Sequence, residues 1–299
     1  MIKNFEQLMT KVKEMKNKTV VIAAAHTPSA LDAAVLAKKE NIADSLLVGD
    51  KQFIYKYLQE NAFEFINDFS YIDTGDDLEL AAAESVKAIR EGKADILLKG
   101  KCATATLIKE VLNKEIGLRT GDNLSDVLVY EHPEKLVLMS DGGINLYPGV
   151  KEKISIINNA VKVGHALDNP KPKVALLAAV EVVNPKMPAT VEAKIIRDKY
   201  KKDQIGDCIV EGPLAFDGAV SKMAAKAKGI KSEVGGDADV LIVPNIEAGN
   251  IFGKALTYYC NYRVAHVVMG AKVPILIASR VDTAETKLLS IALGVLSSQ

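Results

Sequence analysis

The chain has no dominant charge. Its 299 residues carry 38 Lys plus Arg against 38 Asp plus Glu, so it has no broad electrostatic face with which to grip nucleic acid or an anionic membrane. Any anionic ligand has to be held by a few local groups. Cysteine is scarce: Cys102, Cys208 and Cys260 are odd in number and far apart, with no C-x-x-C pair and no adjacent histidine. That excludes a disulfide framework and a zinc pattern and reads as reduced thiols in a cytoplasmic protein. No apolar run approaches a membrane span. Residues 1–18, MIKNFEQLMTKVKEMKNK, alternate charge with apolar residues at helical spacing and lack the apolar region of a secretory signal.

Two local absences are equally informative. A dinucleotide-binding fold wants G-x-G-x-x-G after an early strand, whereas the first βα turn, Ala24-Ala25-His26-Thr27-Pro28-Ser29, has no glycine. A P-loop wants G-x-x-x-x-G-K followed by Ser or Thr. The run from Gly249 to Ala255 is one spacer residue short and has alanine where the magnesium-reaching hydroxyl belongs. The closest acidic pair, Asp237 and Asp239, flanks a strand and marks its start, so no metal site is expected.

Hydrophobic residues make up 48% of the chain and charged residues 25%, enough for two soluble domains of ordinary size or one large α/β unit. Strands are expected at 19–24, 45–48, 71–72 and 94–98. Helices are expected at 5–16, from Ser29 as N-cap to about 40, and at 51–61, 77–90 and 107–115. This alternation predicts a mostly parallel sheet covered on both faces. The pattern then changes: strands at 127–130 and 135–139 are joined by His132-Pro133-Glu134, too short for a crossover, so a hairpin and a new domain begin near Leu124. Helices at 151–168, 189–200, 216–228, 251–262 and 284–296 follow, with strands at 174–178, 208–211, 240–243 and 273–277.

Three stretches invite chemistry. In Ala238–Lys254, ADVLIVPNIEAGNIFGK, a strand meets a Pro244-Asn245 stop, a small-residue loop with Gly249, Asn250 and Gly253, and a helix opening near Ile251. A helix start after such a loop presents unpaired N–H groups and the positive end of the helix dipole to an anion; the same pattern also describes a plain tight turn. At the end of the strand at 94–98, Lys99, Lys101, Thr104 and Thr106 stand where parallel sheets hold ligands, although a solvated lysine pair reads the same way. Arg280 precedes the last helix by about one turn and would add a charged bidentate fork to its backbone donors. Cys102 is the sole thiol on a strand-end loop but has no histidine near it in sequence. Of His26, His132, His165 and His266, only His26 falls at a strand end.

Five stretches taken together, LLKGKCATATLIKEVL (97–112), MSDGGINLYP (139–148), EGPLAFDGAV (211–220), ADVLIVPNIEAGNIFGKAL (238–256) and SRVDTAETK (279–287), resemble the phosphate acetyl/butyryl transferase family, nearest its short butyryl-type members. The resemblance implies an isocitrate/isopropylmalate dehydrogenase-like fold of two α/β domains with the active cleft between them. The expected division is 1–124 plus 282–299 and 125–281, with Ser279 and Arg280 at the hinge. It implies exchange of acyl-CoA plus inorganic phosphate with acyl phosphate plus CoA, by direct attack in a ternary complex. Coenzyme A would be a substrate, no cofactor would be permanently bound, and the protein would be a homodimer or higher homo-oligomer. By resemblance Arg280 binds phosphate, Ser279 donates to the oxyanion, and Asn245, Gly249 and Asn250 line the pocket opposite Lys99, Lys101 and Thr104. Acetyl-transferring relatives carry an aspartate as base for the CoA thiol; Thr286 stands at that position here, leaving Asp282 or Glu285 to serve, or no base at all in the direction in which the thiolate leaves. An acetyl-preferring enzyme, a phosphate:acyl-carrier-protein acyltransferase and a non-catalytic acyl-CoA or phosphate binder are the alternatives.

Overall fold

The computed structural model describes residues 1–203, 207–277 and 282–298. The first apolar runs form α1 (Phe5–Lys13), β1 (Thr19–Ala23), α2 (Pro28–Lys39), β2 (Asp44–Gly49), α3 (Lys51–Asn61), β3 (Ser70–Asp73), α4 (Leu78–Arg90), β4 (Ile96–Lys99) and α5 (Thr104–Val111). Polar side chains at the strand ends start the helices. Asp50 accepts from Phe53 N at 3.1 Å and Asp77 from Leu80 N at 2.9 Å. The cap of α2 is Thr27, not Ser29, with its hydroxyl accepting from Ala30 N at 3.3 Å. Pro28 takes the first helical position, where its missing N–H costs nothing, and so moves the boundary back.

The hairpin expected after Leu124 is present as β5 (Ser125–Glu131) and β6 (Leu136–Ser140), paired antiparallel with Leu128 opposite Met139. The chain continues through α6 (Val150–Ala166), β7 (Lys173–Leu177), α7 (Pro188–Asp203), β8 (Ile209–Leu214), α8 (Phe216–Val220), α9 (Lys222–Ala227), β9 (Val240–Ile242) and α10 (Ile246–Tyr258). The single helix expected over 216–228 is therefore two: Ser221, in extended backbone, ends α8 and caps α9 through Ala224 N at 3.2 Å. After α10 come β10 (Val264–Met269), a strand the sequence reading missed, then β11 (Ile275–Leu276) and α11 (Ala284–Ser297). Val264, Val267 and Val268 give β10 its β-branched character.

Contacts divide the chain into a first unit, Phe5–Asp122 with Ala265–Gln299, and a second, Met1–Asn4 with Asn123–Val264. The return to the first unit at Ala265, rather than near residue 282, follows from pairing: β11 lies parallel to β4, Ile275 beside Leu97, and antiparallel to β10. Strand order in the first unit is β3-β2-β1-β4-β11-β10, parallel but for β10. Helices α1 and α2 pack with α11, and α4 packs with α5. The second unit runs β5-β6-β9-β7-β8, with β6, β9, β7 and β8 parallel. One core there joins Leu128, Tyr130, Met139, Leu241 and Val243 to Leu256 and Phe252 of α10.

The central correction concerns α10. It begins at Ile246, so Gly249, Asn250 and Gly253 lie inside the helix and not in a loop. Asn245 caps it, its Oδ1 accepting from Ala248 N at 3.0 Å. Gly249 then meets the turn after β6: a Cβ there would fall 2.6 Å from Asp141 O and 2.7 Å from Gly142 Cα. Asn250 Nδ2 donates to Gly142 O at 3.3 Å. That turn is built around the Asp141 carboxylate, which accepts from Gly143 N at 2.7 Å, Ile144 N at 3.0 Å, Asn145 N at 3.1 Å and Asn145 Nδ2 at 2.6 Å. Glycine lowers helix propensity by about 1 kcal/mol, but here it permits backbone-to-backbone approach.

Three substitutions test this packing by urea denaturation. Gly249→Ala should lose about 1 to 3 kcal/mol, because the methyl meets backbone that cannot move away. Gly253→Ala, whose added carbon meets only the ends of Leu128 and Met139 at 3.4 and 3.5 Å, should be neutral or gain up to about 1 kcal/mol from propensity. Asp141→Ala should cost about 1 to 3 kcal/mol by leaving part-buried donors without their acceptor. A wild-type midpoint for either Gly249→Ala or Asp141→Ala would refute this account of how α10 is seated.

Candidate functional site

The carboxyl edge of the first unit holds Lys99, Lys101 and Thr104 together. Lys99 ends β4, and the chain turns at once across the end of β1: Gly100 N donates to Ala23 O and Lys101 N to Ala24 O, both at 2.8 Å. Only glycine fits at position 100, where a Cβ would lie 2.3 Å from Ala24 O. The Lys99 ammonium folds back onto Gly100 O at 3.2 Å and Cys102 O at 3.3 Å and so braces its own turn. Lys101 is exposed. Helix α5 opens at exposed Thr104, with Ala103 in the cap position and no side-chain cap hydrogen bond. Its N-terminus thus keeps unpaired backbone donors beside an exposed cation, the combination that suits an anion.

The N-terminus of α10 is different. Ile246 N donates to Leu146 O at 3.0 Å and Ala248 N to the Asn245 side chain, so two of its first-turn donors are occupied. Gly249 is buried, and Asn250 is exposed with its amide on Gly142 O. These expected ligand-binding residues are instead engaged in seating the helix.

Asp282 is half-buried just before α11. Its carbonyl accepts from the buried Lys287 ammonium at 2.7 Å, Thr283 caps the helix through Thr286 N at 3.1 Å, and the Thr286 hydroxyl lies 3.1 Å from that of Thr283. Ser279 and Arg280 lie outside the described residues.

Cys102, His26 and Asp141 are among the titratable groups that their surroundings perturb. Cys102 is buried, its thiol directed to Ala23 O at 3.8 Å, and burial pushes its pKa up against the pull of Lys99. A buried thiol held protonated is a poor nucleophile. The His26 imidazole is held below its ordinary value, first by burial and then by the charge of Lys101, with Asp50 and Asp76 opposing. Asp141 is raised, by burial and then by the charge of Asp126, although its backbone and Asn145 hydrogen bonds offset part of this. Among the described residues no cluster of three or more His, Cys, Asp or Glu could hold a metal ion, and no helix is long and apolar enough to cross a membrane.

Sequence reasoning missed the network of Asp141 with Asn145. The signal available was Asp-Gly-Gly between a strand and a helix, since aspartate accepts readily from backbone amides two and three residues on.

Comparison with known proteins places these features in context. The model of the phosphate acetyl/butaryl transferase family matches residues 74–295. The phosphate butyryltransferase of Clostridium acetobutylicum is 43% identical over 298 residues, covering 99% of this chain and 98% of that protein. The crystal structure of a branched-chain phosphotransacylase from Enterococcus faecalis superposes with a TM-score of 0.83 at 34% identity, over 94% of this chain and 99% of that one. A putative 4-hydroxythreonine-4-phosphate dehydrogenase from Salmonella typhimurium shares the fold alone, with a TM-score of 0.59 at 13% identity over 94% of this chain and 100% of that one. The α/β architecture is thus dehydrogenase-like, and the chain belongs to the phosphate acetyl/butaryl transferase family.

Proposed function

We propose that this protein is a phosphate acyltransferase that moves a short acyl group, butyryl or similar, reversibly between coenzyme A and inorganic phosphate. The observation that carries the reading beyond family membership is the open N-terminus of α5 beside Lys101, at the carboxyl edge of parallel strands. Such a site desolvates phosphate and orients it without a metal. A phosphate oxygen attacks the thioester carbonyl carbon, and the tetrahedral oxyanion collapses with loss of the CoA thiolate. Lys101, Thr104 and the α5 amides hold phosphate from the first unit. Leu276, the last residue of β11, lies beside Leu98 of β4, and Ser279 and Arg280 follow it within four residues of sequence. In this reading Arg280 grips the phosphate, Ser279 donates to the oxyanion, and Asp282 is the base for the CoA thiol in reverse. Lys99 supports the turn, and Asn245, Gly249 and Asn250 contribute by placing α10. Coenzyme A comes and goes as a substrate, and the enzyme works in the cytoplasm as a homodimer or higher homo-oligomer.

Transfer is direct. Cys102, the thiol on the turn before α5, is buried and burial raises its pKa, which makes it a poor nucleophile for a covalent acyl-enzyme. The choice between butyryl and acetyl rests on pocket volume, and a methylene there is worth only about 1 to 3 kcal/mol, so a graded preference is expected.

Acyl-CoAs of two to five carbons should release free thiol in the presence of phosphate or arsenate. The absence of turnover on the whole panel would identify a binding protein instead. Initial rates should give intersecting double-reciprocal lines; parallel lines, or an acyl group trapped on the protein, would overturn direct transfer. Arg280→Ala should lose about 1.5 to 3 kcal/mol of phosphate binding, seen as a KM for phosphate raised roughly ten- to a hundredfold with an unchanged urea midpoint. Near-normal turnover at low phosphate would remove Arg280 from the site.

A further inference from the structure

We infer that His26 is a ligand-binding residue, its Nε2–H and the Lys101 ammonium together taking an oxygen of a phosphoryl group at the switch point of the first unit's sheet. The inference rests on the phosphate and CoA reading above and names residues that reading did not use. Strands β1 and β4 are neighbours, parallel, with Ala23 beside Lys99. The chain leaves β1 for β2 on one side and reaches β4 from β3 on the other. Right-handed crossovers running in opposite directions put their helices on opposite faces, which accords with α2 packing on α11 and α4 on α5. Such a switch point, beyond the carboxyl ends of the strands, is where open α/β sheets bind ligands. Three residues beyond Ala23 is His26; two beyond Lys99 is Lys101.

The state of the imidazole provides an independent argument. His26 is only 4% exposed. Its Nδ1 accepts from Asp50 N at 3.2 Å, which places the proton of the neutral ring on Nε2. Gly49 makes room for this, since a Cβ there would fall 2.4 Å from Nδ1. Nε2 is buried with no hydrogen-bond partner among the described residues, and so is the hydroxyl of Thr74, whose own N–H donates to Gly49 O at 3.1 Å. Two orphaned polar groups thus flank Gly49 at the ends of β1 and β3. Buried donors are nearly always paired, so an orphan marks a place where something else supplies the acceptor. Asp50 does not supply it: its side chain caps α3 through Phe53 N and makes no hydrogen bond to Nε2. With burial and Lys101 keeping the ring neutral, His26 offers a hydrogen bond and Lys101 offers the charge, a pairing matched by a phosphoryl oxygen.

The test uses full-length protein with 15N-labelled histidine, the His26 ring signals being assigned by their loss in His26→Asn. Titration with inorganic phosphate, CoA and dephospho-CoA should move the His26 Nε2 and Hε1 signals to saturation while those of His132, His165 and His266 stay in place. A response to inorganic phosphate identifies the substrate phosphate as the acceptor. A response to CoA but not dephospho-CoA identifies the ribose phosphate, and an equal response to both the pyrophosphate. Lys101→Ala should weaken the same titration tenfold or more. His26→Asn keeps an oxygen in place of Nδ1 and loses the distal donor, so it should raise the KM for that ligand at least fivefold with kcat within twofold; His26→Gln, which restores a distal N–H, should recover most of the loss. Unmoved His26 signals under conditions where acyl transfer proceeds would overturn the inference and leave the enzyme reading intact. Saturable shifts in a protein that releases no thiol from any acyl-CoA would keep the site and overturn the activity.

Discussion

The parallel ladder of β1, β4 and β11 is the constraint on which the first unit's chemistry depends. Parallel pairing brings the carboxyl ends of strands far apart in sequence to one edge, Ala23 beside Lys99 and Leu276 beside Leu98. Turns that leave those ends share their backbone hydrogen bonds: Gly100 and Lys101 donate to Ala23 and Ala24. The edge is thereby rigid to the last residue, and a side chain there is positioned by the sheet and not by a flexible loop. Lys99 illustrates the consequence. Its charge serves the turn's own carbonyls, which leaves Lys101, two residues on and exposed, to meet solvent or ligand.

The two helix starts that follow strand ends show how similar local sequences reach opposite outcomes. Helix α5 has no side-chain cap, while α10 has Asn245 and a carbonyl of the turn after β6, that of Leu146, on its first amides. Free donors at a helix start cost stability unless water or a ligand takes them. Donors at the start of α10 are engaged while α5 has no side-chain cap, and of the two it is the α5 start that suits an anion. The glycines of α10 are spent on close packing, since a backbone-to-backbone approach under 3 Å from a Cβ position has no other solution.

The electrostatics are consistent with transfer that uses positioning and charge without a covalent relay. A buried Cys102 stays protonated and a buried His26 stays neutral for the same reason, because low dielectric disfavours the charged form of each. Fixed donors and exposed cations remain, the kind of groups that stabilise developing negative charge with little reorganisation.

Much of the architecture was legible in the chain itself. Apolar runs with period two or none, capping Asp and Thr residues and the short His132-Pro133-Glu134 link determined the strands, the helices and the hairpin, because these are local matters of burial and hydrogen bonding. The motifs in family order determined the family. What only the tertiary structure decided were the features that depend on distant partners. Whether Gly249 begins a loop or lies within a helix turned on the backbone of residues 141 and 142, more than a hundred positions earlier. Where the chain rejoins the first unit turned on β11 finding β4. Which lysine is left over, and which imidazole nitrogen carries the proton, turned on carbonyls and amides that only the folded sheet brings within 3.3 Å.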